Sequence, residues 1–188
     1  MCQLRPRGSA EADASLADEL ELHSRTWKSY QEDLPSPCFL GSESGGYVMR
    51  HNPFLYQPFV CLGDQSVVHI MAQVWGDPGQ VREAAGLVPQ ILASAAWQQN
   101  GLVVIAWDEA RGGSPDDPDG GHVPALFVSP DLAPGTRSSA PASHYQLLRT
   151  IEQAWGLGYL GHTGDPDEQA LTELVPSAAI SSAPADSP

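Results

Sequence analysis

The run GLVVIAW, Gly101 to Trp107, constrains the fold more than any other part of the chain, because it is apolar without interruption and bounded at both ends. Asn100-Gly101 stops whatever precedes it, and the acidic pair Asp108-Glu109 follows at once. A short apolar run with no polar alternation is the pattern of a strand covered on both faces, so LVVIAW reads as a central strand of a parallel sheet. Beyond it the loop GGSPDDPDGG turns the chain, and HVPALFVSP supplies a second apolar strand opened by His122.

Helical patterns flank these strands. From Gly79 to Asn100 the apolar residues Val81, Ala84, Ala85, Val88, Ile91, Leu92 and Ala95 recur at spacings of three and four, with Pro89 set to kink or interrupt the helix. SHYQLLRTIEQAWGL places Leu147, Leu148, Ile151, Ala154 and Trp155 on one helical face, with Ser143 as N-cap. SLADELEL begins a short helix at Ser15, with acidic residues in its first turn. Residues 35–58, rich in Gly, Pro and aromatic residues, read as ordered loop around YVMRHNPFLY. Helix, strand, loop, strand, helix is an α/β order. Residues 1–14 read as a disordered leader, and 162–188, rich in Ala, Ser, Pro and Asp, as a disordered tail.

Charge narrows the partners. With 23 acidic against 9 basic residues and a net charge of −14, the chain has no Lys/Arg patch to displace the counterions of a nucleic acid. No stretch approaches the roughly 18 apolar residues of a transmembrane helix, and MCQLRPRGSAEADAS lacks the apolar core of a signal peptide.

In open α/β sheets the working residues lie just past the carboxyl ends of the strands, and Asp108 and Glu109 occupy that place. Shielded carboxylates there call for a positive partner, either a divalent cation or Arg111. His122 returns from the Gly-rich loop toward the same strand end, and carboxylates with imidazole form a donor set for Zn²⁺, Mn²⁺ or a Ca²⁺-like ion. His144 either faces a site or helps to cap its helix. Arg50, His51 and Asn52 together offer what a phosphate or carboxylate pocket needs, or else belong to an Asn-Pro turn held by aromatic packing. His23, His69 and His162 have no supporting context. Cys38 and Cys61 bracket the loop-like region and could form a disulfide or remain unrelated thiols, with Cys2 left over.

Taken in order, TWKSYQEDLP, YVMRHNPFLY, VPQILASAAWQQNGLVVIAWDE, HVPALFVSP and SHYQLLRTIEQAWGL resemble the C-terminal half of the phosphoesterase family over residues 15–161. That family holds acid phosphatases, phosphatidylinositol-3-phosphatases and non-specific phospholipases C, within the alkaline-phosphatase-like superfamily. The resemblance implies part of an α/β/α sandwich with a mostly parallel sheet, its N-terminal part missing. It implies a phosphoric-ester hydrolase acting on a small phosphoester or phospholipid headgroup, with a Ser or Thr nucleophile and a divalent metal site.

Carried over by residue, Asp108, Glu109 and His122 are the implied metal ligands, and His51 and His144 the implied catalytic histidines. Arg50 and Asn52 flank the substrate, and Cys38 and Cys61 fall where exported relatives carry paired cysteines. Relatives are mostly secreted or in the cell envelope. They also carry an acidic-Asn metal motif on their first strand and a nucleophile in a segment like HPSxPNY, neither of which this sequence contains. Of their NDMHD and GD segments, only Gly76-Asp77 has a counterpart, with His69 a stand-in for the missing His. The alternative expectation is therefore a truncated, catalytically inactive fragment. An acidic binding module unrelated to hydrolysis is a third reading, and it leaves the ordered matches without explanation.

Overall fold

Ser15 starts the first element by satisfying backbone groups that a helix cannot satisfy itself. Its hydroxyl accepts from the Asp18 N–H at 3.3 Å, and the Asp18 carboxylate accepts from the Ser15 N–H at 2.8 Å. This capping box opens α1, Leu16–Leu22, which buries Ala17 and Leu20 and leaves Leu22 outside. The computed structural model of the chain describes residues 15–25, 28–30, 34–36, 39, 41–49, 68–70, 86, 88–107, 110 and 121–176. These divide into two compact units, one drawn from residues 1–72 and 157–165, the other from 73–156 and 166–188.

In the first unit β1, Lys28–Tyr30, pairs in parallel with a later strand, with Ser29 opposite His69. Between them β2, Glu43–Ser44, and β3, Tyr47–Val48, form a small antiparallel hairpin inside the region expected to be loop. Gly45 sits in the turn at φ 60°, a conformation that costs glycine little and other residues more. The Phe39 ring meets Tyr47 edge to face at 5.7 Å and lies over Gly41, where a Cβ would have no room. The strand paired with β1 is β4, Val68–Ile70. The unit is completed by a 3₁₀ turn, Gly161–Gly164, in which the buried Thr163 hydroxyl donates to the Leu160 carbonyl and accepts from the Leu160 N–H. Glu19 of α1 accepts from the Gly158 N–H at 3.0 Å, tying the helix to the segment that leads into this turn.

The second unit carries the elements that position the candidate site. Gly86 and residues 88–92 are helical, Pro89 among them. A break falls at Ser94, whose hydroxyl accepts from the Trp97 N–H at 3.2 Å and opens a short helix, α2, Ala95–Gln98. Asn100 ends it in the left-handed region at φ 64°, and the chain enters β5, Val103–Ala106.

The partner of β5 is β6, Ala125–Val128, and the pairing is antiparallel, with Ala106 opposite Ala125 and Val103 opposite Val128. This corrects the expectation of a central strand in a parallel sheet. A parallel return needs a crossover of a dozen or more residues, usually helical, and RGGSPDDPDGG is composed of residues that break helices. Nor is the pair covered on both faces, since Leu126 is 51% exposed. Among the described residues the strands therefore make two antiparallel pairs and one parallel pair. The class is mixed α/β, as expected.

The longest element among the described residues is α3, His144–Trp155, begun at Ser143 by a second capping box with Gln146 and ended at Gly156 in the left-handed region. Its apolar face is only partly covered, and its most buried residues are Thr150 and Glu152, which the hydrophobic pattern does not single out. Within the stretch read as a tail, residues 162–176 hold all but the first residue of the 3₁₀ turn Gly161–Gly164 and the whole of Thr172–Leu174, and bury Leu171 and Val175. No helix among the described residues is long and apolar enough to cross a membrane.

Candidate functional site

Because Ala106 and Ala125 are register partners, the segments leaving β5 and entering β6 emerge at the same end of the sheet. Asp108 and Glu109 follow Ala106 by two and three residues, and His122 precedes Ala125 by three. Parallel pairing of strands this short would separate those segments by the strand length, roughly 13 Å at about 3.3 Å per residue. The antiparallel return thus brings the His122 segment to the acidic strand end. Gly121, at φ 80°, lies in the left-handed region immediately before His122, whose side chain is exposed.

The third piece arrives from α3. The Ser143 hydroxyl accepts from the Gln146 N–H at 3.4 Å, and the Gln146 side-chain oxygen accepts from the Ser143 N–H at 2.8 Å, so His144 is the first helical residue. From there its ring Nε2 donates to the Trp107 carbonyl at 2.8 Å. Trp107 is the residue between the end of β5 and Asp108, so the bond fastens the start of α3 to the backbone that carries the acidic pair. Ser143 thus caps the helix, while the His144 ring bonds the Trp107 carbonyl. The Trp107 carbonyl is a partner of His144 that sequence reading missed, and a backbone acceptor leaves no signature in residue type.

Asp108, Glu109, Arg111, Arg50, His51, Asn52, Cys38 and Cys61 lie outside the described residues. Among the described residues no three His, Cys, Asp or Glu side chains cluster in a way that could hold a metal ion. Of the histidines without sequence context, His23 Nδ1 bonds the Glu19 carbonyl at 2.9 Å and His162 Nδ1 meets Asp165 Oδ2 at 3.0 Å, both on the surface.

Comparison with known proteins covers the same elements. Residues 81–158 match the Phosphoesterase family, a span that includes β5, β6 and α3. The chain is also 28% identical over 169 residues to the phosphatidylinositol-3-phosphatase of Mycobacterium tuberculosis (strain ATCC 25618 / H37Rv), an alignment covering 79% of this chain and 54% of that protein. It thus spans about half the length of that relative. No solved structure matches it. The span that matches the Phosphoesterase family contains Asp108-Glu109, His122, the Trp107 carbonyl and His144 together, and it is to this family that the chain is similar.

Proposed function

We propose that the chain hydrolyses phosphoric esters at the open end of the β5–β6 pair. The observation that carries this reading is the bond from His144 to the Trp107 carbonyl, which holds an imidazole beside the backbone leading into Asp108-Glu109. Residues 15–161 form the phosphoesterase portion, a partial α/β/α sandwich of the alkaline-phosphatase-like type. Asp108, Glu109 and His122 would hold a divalent cation, for two hard carboxylates with one borderline nitrogen suit such an ion. A cation bound there supplies charge stabilisation to a phosphoryl oxygen.

The chain's own residues have distinct tasks. Arg50 and Asn52 carry the donors that a phosphate would need, an attraction the net charge of −14 does not provide. His51 steadies charge on the phosphate or the leaving oxygen, and His144 acts at the strand end. The substrate is a small phosphoester or a phospholipid headgroup, the second favoured by the phosphatidylinositol-3-phosphatase relative.

The competing reading is a binding-only chain, favoured by the lack of an HPSxPNY-like nucleophile segment in the sequence. Release of phosphate from p-nitrophenyl phosphate and from phosphoinositide vesicles, each with a series of divalent cations, tests the proposal. Release from either substrate supports hydrolysis, and release from vesicles alone assigns the headgroup. Binding of inorganic phosphate without turnover under every cation would favour the inactive form.

A further inference from the structure

The joint between β5 and α3 passes through one imidazole ring, and it determines which ring nitrogen is left for chemistry. A carbonyl oxygen can only accept, so at 2.8 Å the Nε2 of His144 carries the proton given to the Trp107 oxygen. Neutral imidazole has a single N–H, and with that N–H at Nε2 the lone pair is on Nδ1. The ring is exposed, and Nδ1 has no hydrogen-bond partner among the described residues. The Ser143–Gln146 capping box sets where the helix begins and β5 sets where Trp107 lies, so the backbone at both ends of the bond belongs to regular structure.

We infer that the Trp107 carbonyl is a positioning group that holds His144 as its Nε2–H tautomer, so that Nδ1 is the nitrogen that meets the reacting groups at the strand end. The inference rests on the phosphoesterase reading of the site. In that reaction Nδ1 accepts a proton from the attacking water as the water oxygen bonds to phosphorus. The electron pair of the broken P–O bond leaves with the ester oxygen, which takes a proton from solvent or departs as a stable phenolate. Nε2–H stays on the Trp107 carbonyl throughout. This use of an outer hydrogen bond to choose the tautomer is the device by which backbone carbonyls orient working histidines in general.

Two measurements on the full chain test it. Two-bond ¹H–¹⁵N correlation spectra, recorded well above the ordinary histidine titration range, are expected to show His144 protonated at Nε2 and bare at Nδ1. A ring protonated at Nδ1 instead overturns the inference. His144→Gln keeps an amide N–H for the Trp107 carbonyl but has nothing equivalent to Nδ1. It should keep the parent's near-ultraviolet circular dichroism and lose on the order of 100-fold in kcat on p-nitrophenyl phosphate, with KM little changed. A kcat within about twofold of the parent's would overturn the role of Nδ1. Should the parent itself show no turnover, the phosphoesterase reading fails, and the spectra decide the tautomer independently.

Discussion

The Thr150 hydroxyl accepts a hydrogen bond from the Leu171 N–H at 2.8 Å while donating its own proton to the Gln146 carbonyl at 2.6 Å. Thr150 is almost fully buried, so the bond pins the chain after α3 back onto the helix where water cannot substitute.

Replacing Thr150 with Val keeps the side-chain shape and removes both bonds. The Leu171 N–H is left buried without its acceptor, at a cost of about 1–3 kcal/mol. Urea unfolding should show a lower midpoint, and limited proteolysis should cut more readily within residues 166–176. An unchanged midpoint would mean that the segment is held by the burial of Leu171 and Val175 alone.

Ser143→Ala removes the acceptor for the Gln146 N–H and should cost about 1 kcal/mol of stability. Because His144 follows directly, the same change loosens its hold on the Trp107 carbonyl. Ser143→Asp, which restores an acceptor, should recover both stability and any activity lost. Thermal unfolding and turnover measured on the two variants check this, and a loss that Asp does not rescue would contradict it.

How legible these features were in the sequence differs by kind. Ser15, Ser143 and Gly156 mark helix ends because capping is local chemistry, satisfied within a few residues. LVVIAW announces a strand, but an apolar run says nothing about the direction of its neighbour. The antiparallel partner follows from the helix-poor connection, a constraint that the run itself does not contain. Thr150 and Glu152 lie on no apolar stripe, and their burial depends on what packs against α3. His144 was legible as a residue of interest, whereas its partner was not, since any residue at position 107 offers the same carbonyl.

The Glu173 carboxyl is held below the usual carboxylate range, chiefly by the Ser138 hydroxyl and then by its own backbone N–H, against a smaller opposing effect of burial. A carboxyl whose folded-state pKa is depressed adds stability that is present above its unfolded value, about 4.3, and is lost as pH falls through the lower folded value. Ser138→Ala removes the larger cause. Its Glu173 titration, followed by NMR, should move up toward the unfolded value, and acid unfolding should begin at slightly higher pH. A Glu173 titration unmoved by the substitution would contradict the assignment.

The antiparallel return of β6 brings the His122 segment to the end of β5. If it is a metal ligand, His122→Ala should raise the divalent-cation concentration needed for half-maximal turnover on the order of 10- to 100-fold, with turnover at saturating cation less affected. Equal cation requirements in parent and variant would remove His122 from the ligand set.

The central claim is that Asp108, just past β5 and one residue beyond the carbonyl that holds His144, belongs to a working phosphoesterase site. The most direct measurement is the rate of p-nitrophenyl phosphate hydrolysis by the parent chain and by Asp108→Ala, each saturated with a divalent cation and each shown to be folded. The account predicts turnover by the parent and a fall on the order of 100- to 1,000-fold in the variant. Equal rates in the two proteins, or no turnover by the parent with any cation, would contradict it.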